Sequence, residues 1–151
     1  INSLNKANRE LRFILHSYQS LIFNKAVSEY LKNKYKDYKE VKYKLGRLIF
    51  INKFENIKFP LISFDTKFSK KDKIYLKILK QEKINLEKFL FRELPWLIEE
   101  TIYREIFVKV KNFKTLAYEK DELNKGKYKQ IINFILQKGS YATILVKQMF
   151  L

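Results

Sequence analysis

Apolar residues recur at helical spacing through residues 8–35, where Leu11, Leu15, Tyr18, Ile22, Ala26 and Tyr30 fall on one stripe. The spacing predicts one long amphipathic helix. Lys32, Lys34 and Lys36 crowd its far end, where cations complement the negative pole of the helix dipole. The pattern then shortens. Residues 45–51, Leu-Gly-Arg-Leu-Ile-Phe-Ile, read as a strand entered through a glycine turn. Residues 58–62 read as a short extended piece that Pro60 confines to an edge or a connection. Ser69 is placed to cap a helix over 70–82, and a shorter helix is expected over 85–91, closed by Pro95. From Arg104 the period drops to two, with Ile106, Val108 and Val110 alternating against Phe107, Lys109 and Lys111, which predicts a strand. A polar stretch over 119–129 containing Gly126 reads as a hairpin loop, and 128–136 as the returning strand. A last helix follows Ser140, its stripe made by Ala142, Leu145, Val146 and Met149. A helix first, then mixed strands and helices, makes the expected fold class α/β or α+β.

Composition changes this picture in one respect. The 151 residues are 46% hydrophobic and 16% aromatic, enough for one domain or two compact lobes with a real core. The net charge is +16, from 32 basic against 16 acidic residues. Such an excess repels itself and points to a polyanionic partner, nucleic acid first and an anionic membrane second. No apolar run is long enough for a spanning helix, and the start carries no signal-peptide pattern. The absence of cysteine excludes disulfides and thiolate chemistry. A cytoplasmic protein without membrane association is expected. Because the chain starts at Ile1, an upstream segment is expected as well.

Candidate chemistry is sparse. The sole histidine, His16, lies within the first helix and reads as a packing or surface residue. One histidine excludes histidine-based metal sites and Ser-His-Asp triads in this chain alone. The adjacent acids Glu99-Glu100 and the group Glu119, Asp121 and Glu122 read as solvated surface. Three isolated glycines exclude a phosphate-cradling glycine loop. What remains is basic charge interleaved with aromatics, clearest in Lys-Asn-Lys-Tyr-Lys-Asp-Tyr-Lys at 32–39. Its lysines could follow phosphates and its tyrosines stack on bases, or the run is a solvated helix end.

The segment Gln-Lys-Gly-Ser-Tyr-Ala-Thr at 137–143 stands out in a chain with three glycines. Gly139 permits a tight strand-to-helix turn, Ser140 is placed to cap the following helix, and Tyr141 stands at the mouth of the turn. Beside Lys138, the helix start is an anion site or an ordinary capped helix. Extended to 134–145, Phe-Ile-Leu-Gln-Lys-Gly-Ser-Tyr-Ala-Thr-Ile-Leu, it resembles the C-terminal signature of the TruD family of pseudouridine synthases. That signature reads roughly Phe-x-Leu-Pro-Lys-Gly-Ser-Tyr-Ala-Thr. Ser-Tyr-Gln-Ser-Leu-Ile-Phe-Asn at 17–24 is similar to the helix that opens the family's inserted module. Weaker similarities lie between them, in Phe-Pro-Leu-Ile at 59–62, Leu-Pro-Trp-Leu at 94–97 and Tyr-Arg-Glu-Ile at 103–106, the last best matched by archaeal-type members.

The resemblance implies isomerisation of uridine to pseudouridine in RNA, notably transfer RNA, with no cofactor and no metal. It implies an inserted module over residues 1–120, helping to form an RNA cleft, and a C-terminal strand–helix segment of the catalytic domain over 121–151. By the same carry-over Tyr141 packs beside the target base, Gly139 and Ser140 shape its turn beside Lys138, and Phe134 and Thr143 support it. Arg104 becomes a candidate RNA or structural contact. The family's catalytic aspartate sits in a Gly-x-Lys-Asp-x-x-Ala segment that this chain lacks, so no catalytic residue is assigned here. Asp72, within Lys-Lys-Asp-Lys, lacks the flanking glycine and alanine and is a decoy. Lys147-Gln148 replaces the family's Arg-Glu, and Gln137 its proline. The expectation is the C-terminal part of a transfer-RNA pseudouridine synthase that needs an N-terminal catalytic portion, in the same or a separate chain. The alternative is a non-catalytic RNA-binding protein on the same scaffold.

Overall fold

The computed structural model describes residues 2–151. They form two compact units, one ending at Ile106 and one running from Phe107 to Leu151.

The first unit is organised on α1 (Asn2–Lys34). At about 1.5 Å per residue it is roughly 50 Å long. Gln19, Ile22, Phe23, Ala26 and Leu31 make its buried stripe, and Leu15, Tyr18 and Tyr30 pack at its margins. The predicted stripe is therefore real from Leu15 onward, while Leu11 remains exposed. After α1 the chain forms an antiparallel hairpin of β1 (Lys39–Tyr43) and β2 (Gly46–Phe50), with Lys44 and Leu45 as its turn and Gly46 at φ +147°. A second antiparallel pair joins β3 (Lys58–Leu61) to β4 (Ile102–Glu105). Pro60 sits in β3, which has one neighbour only, so its missing N–H breaks no ladder. Between these strands lies α2 (Ile74–Gln81), entered through a 3-10 turn at Lys71–Lys73. Ile22, Phe23, Ala26, Phe59, Ile62, Tyr75, Ile78, Leu79 and Phe89 share one core. Full burial of a large side chain such as Phe59 or Tyr75 contributes about 1.5–3 kcal/mol.

Polar groups fix the geometry of this core. The buried Gln19 amide donates to the Ile62 carbonyl (2.8 Å), tying α1 to the end of β3. The Tyr75 hydroxyl donates to the Pro60 carbonyl (2.6 Å). Burial pushes the Tyr75 phenol far up, with Asp72 adding to the effect. At the start of the α2 region, Ser69 gives both its N–H (3.1 Å) and its hydroxyl (2.7 Å) to the Asp72 carboxylate, and the Asp72 N–H returns to the Ser69 carbonyl. The cap expected from Ser69 is not made: its hydroxyl donates to Asp72 instead of accepting a helix N–H, and neither the 3-10 turn nor α2 has a side-chain cap bond.

The second unit has β5 (Lys111–Lys120) and β6 (Tyr128–Ile135) in an antiparallel hairpin, then α3 (Ala142–Met149). β5 carries two irregularities, the first beside Asn112 at φ +50°. The hairpin loop is built by Asp121, whose carboxylate accepts the N–H of Leu123 (2.8 Å) and the amide of Asn124 (2.7 Å). No residue from Phe107 to Leu151 is buried.

Four further expectations change. The alternation after Arg104 is not a strand: β4 ends at Glu105, the Ile106 N–H bonds to the Ile57 carbonyl, and residues 107–110 carry no ladder before β5 begins. Apolar alternation cannot make a strand where no partner strand is adjacent. The helix expected over 85–91 is a 3-10 turn at Leu86–Phe89. The strand β1 was not expected; it begins at Lys39, where the lysine–tyrosine run that reads as a helix end stops. Ser140 does not cap α3; Tyr141 holds the cap position, at φ −106° and ψ 113°, and its side chain makes no cap bond to the helix.

Candidate uridine-pocket and RNA-binding residues

β6 ends at Ile135, and residues 137–140 turn the chain into α3. The Ser140 N–H closes the turn on the Gln137 carbonyl (3.1 Å), with Lys138 and Gly139 at its centre. Gly139 has φ +85°, the backbone that a turn of this kind requires at its third residue. An added Cβ would meet nothing within 4 Å, so the requirement comes from the backbone angle alone. The glycine is there because a left-handed residue is needed to swing the chain from strand to helix.

Tyr141 follows at the helix start. It is 54% exposed, and its carbonyl accepts the Ile144 N–H, the first bond of the helix. Lys138 and Thr143 are exposed and Ser140 is half-buried. Phe134 lies one turn earlier on β6, half-buried and stacked on Phe113 across the hairpin (centroids 6.4 Å apart, planes 15° from parallel). The fold thus brings Phe134, Lys138, Gly139, Ser140, Tyr141 and Thr143 into one strand–turn–helix corner. Arg104 belongs to the first unit. Its guanidinium lies over the buried Phe23 ring (5.6 Å), and it stands in register with Phe59, so its visible work is packing.

The remaining candidates separate clearly. Asp72 is 1% exposed and bound to Ser69, in keeping with a structural role. His16 is exposed and pairs with Glu99 (2.7 Å), while Arg12 donates to the Trp96 carbonyl (2.8 Å) and lies over its ring. These contacts clamp the first half of α1 onto residues 96–99. The acids expected to be plain surface therefore have structural partners: Glu99 holds His16, and Lys129 reaches both Glu119 (3.6 Å) and Glu122 (2.6 Å). In the 32–39 run, Lys34 and Tyr35 both bond to Glu55, and Lys32 lies over Tyr38. Those two ties draw the Glu55 carboxyl below its ordinary range, the Lys34 bond first. No group of His, Cys, Asp and Glu suited to a metal ion occurs among the described residues. No described helix is long and apolar enough to cross a membrane. One aromatic pair escaped sequence reasoning: Tyr118 and Tyr128 stack on the hairpin (5.1 Å, 6°), both exposed. Their pairing depends on the loop length, which the sequence pattern left two residues uncertain.

The family model for tRNA pseudouridine synthase D (TruD) matches residues 40–149. The chain belongs to the TruD family. The match runs from β1 to the last residue of α3 and so includes the Gly-Ser-Tyr-Ala-Thr corner. A relative named "Probable tRNA pseudouridine synthase D 2" from Methanocaldococcus jannaschii is 35% identical over 95% of this chain and 36% of its own length. A second, "Probable tRNA pseudouridine synthase D 1" from Methanococcus maripaludis, is 32% identical over 95% of this chain and 39% of its own. A crystal structure of a TruD protein from Methanosarcina mazei superposes with a TM-score of 0.60 at 26% identity, covering 91% of this chain and 37% of that one. The chain therefore spans a little over a third of the TruD proteins it matches, and its mixed helices and small antiparallel sheets follow the TruD fold over that third.

Proposed function

We propose that this chain is the C-terminal part of a TruD-type transfer-RNA pseudouridine synthase, supplying RNA binding and one wall of the uridine pocket. The observation that carries the reading is the exposed Tyr141, held at a helix start by a glycine-dependent turn where no core requires a tyrosine. An enzyme acting on a base inside folded RNA must take that base out of its stack, and an aromatic face is what receives it. Gly139 and Ser140 set the turn, Lys138 offers positive charge beside it, and Phe134 and Thr143 flank it. The aspartate that does the covalent and acid–base work lies in an N-terminal catalytic portion, which this reading takes as the partner. Residues 1–120 act as the inserted module and 121–151 as the returning strand–helix segment, in a cytoplasmic enzyme. The unburied state of every residue from 107 to 151 supports a covering partner, because apolar surface of that kind is normally packed against something.

The test is a tritium-release assay on transfer RNA. The expected outcome is no turnover by this chain alone, turnover when the N-terminal portion is supplied, and a loss of about tenfold or more on Tyr141→Ala in the complete enzyme. Turnover by the chain alone, or full activity of the Tyr141→Ala enzyme, would refute the assignment.

A further inference from the structure

The β1–β2 hairpin carries an electrostatic conflict. Its register sets Lys42 directly opposite Arg47, and Lys44 follows in the adjoining two-residue turn; all three are exposed. Like charges facing across an antiparallel pair are destabilising. The hairpin's one carboxylate, Glu40, lies two residues before Lys42 on the same face and is already shared, 3.4 Å from Arg47 and 3.7 Å from Lys32 of α1. Lys42 and Lys44 have no ion pair among the described residues. From Lys36 to Arg47 the chain has five cations against two acids, Asp37 and Glu40. The platform under these charges is firm. Ile49, opposite Glu40, is buried, and the Ser28 hydroxyl of α1 donates to the Arg47 carbonyl (2.9 Å), pinning β2 to the helix.

A rigid, solvent-facing cluster of three cations at a cost to stability makes sense when an external anion completes it. We propose that the tip of the β1–β2 hairpin, through Lys42, Lys44 and Arg47, docks the phosphodiester backbone of the substrate RNA. The inference rests on the RNA-directed function above and names a surface for it. Cations on phosphates position the nucleic acid without reading its sequence. Leu45 is the lone apolar residue in the turn, too little to anchor the tip in a lipid surface.

The experiment measures binding of this chain to a transfer-RNA transcript over a range of salt concentrations. The Lys42→Gln/Lys44→Gln/Arg47→Gln variant is expected to bind about tenfold or more weakly, with its salt slope reduced by about two to three. A control that removes three cations elsewhere, Lys114→Gln/Lys125→Gln/Lys127→Gln, is expected to keep most of the slope. Equal losses in both variants, or an unchanged slope in the first, overturn the proposal. A second readout separates docking from folding: Lys42→Glu places an acid opposite Arg47, so it is expected to raise Tm while weakening RNA binding. A variant that binds RNA as well as the unaltered chain overturns the docking surface alone. Failure of the unaltered chain to bind transfer RNA overturns this proposal together with the functional reading beneath it.

Discussion

At the scale of single residues, the same side-chain type does different work depending on what surrounds it. Tyr75 is sealed in the core with its hydroxyl on the Pro60 carbonyl, whereas Tyr141 is exposed over half its surface at a helix start. Only the second has a face to offer a ligand. Asp72 shows the same divide among acids. It follows two lysines, as a short catalytic motif might, yet its carboxylate is buried and accepts both donors of Ser69. Asp72→Ala is expected to lower stability by about 1–2 kcal/mol in chemical denaturation, because the two Ser69 donors lose their acceptor. The complete enzyme carrying the same change is expected to keep its turnover when assayed well below its Tm. A large loss of turnover at unchanged stability would make Asp72 a functional acid after all. The motif at 17–24 divides likewise: Gln19, Ile22 and Phe23 are buried, and Gln19 bonds to Ile62. The residues that gave the strongest likeness outside the turn hold the core together, and only the turn at 137–143 presents a surface.

At the scale of elements, local rules decide where each piece stops. α2 ends in a Schellman arrangement, with the Ile84 N–H on the Leu79 carbonyl (3.0 Å) and the Lys83 N–H on the Lys80 carbonyl (3.2 Å). The residue at the left-handed position is Lys83, φ +56°, where glycine is the unstrained choice. Lys83→Gly is accordingly expected to raise stability by about 1 kcal/mol, read as a higher denaturation midpoint at constant slope. An unchanged or lower midpoint would mean that the lysine side chain compensates for the strain. The elements legible in the sequence were those with a period or a punctuating residue: α1 by its stripe, β2 by Gly46, α2 by Ser69, and the β6–α3 corner by Gly139. Those not legible depended on distant partners. β1 reads Lys-Glu-Val-Lys-Tyr, too short and too charged to stand out, and becomes a strand because β2 lies beside it. Residues 106–110 carry a strand's spacing and form no strand, because the Ile106 N–H is taken by Ile57 and no ladder follows before β5. Of the site, the turn and Tyr141 could be read from spacing and likeness. The opposition of Lys42 and Arg47 could not, since it exists only in the register of the hairpin.

At the scale of the whole molecule, charge and burial are unevenly spread, and both have measurable consequences. Several carboxylates are held below their ordinary range: Glu55 by Lys34 and Tyr35, Asp65 by the hydroxyl and N–H of Thr101, and Asp121 by Asn124 and the loop N–H groups. An acid whose folded pKa is depressed adds stability above its unfolded value and loses it as pH falls through the folded value. Tm should therefore decline on acidification through and below the ordinary carboxylate range. Asp65→Asn should flatten that decline, since an amide oxygen accepts from Thr101 at any pH; an unaltered pH profile would remove Asp65 from the account. Burial gives the sharper contrast. Every fully sequestered side chain lies before Phe107, in a core that α1, β3 and α2 share. The β5–β6 hairpin has ordered ladder bonds but no buried residue to hold them, and two strands alone are marginal in water. In hydrogen exchange on the isolated chain, amides of α1 near Gln19–Leu31 and of β3 should exchange slowest, and those of β5, β6 and α3 much faster. Adding the N-terminal catalytic portion should slow β6 and α3 selectively, because a packed partner converts their exposed apolar residues, such as Ile131, Ile135 and Val146, into core. If β5 and β6 already exchange as slowly as α1 in the isolated chain, the hairpin is stable on its own and the case for a covering partner fails. If they exchange fast and stay fast with that portion present, the partner covers some other surface, and Tyr141 does not form a pocket wall with it.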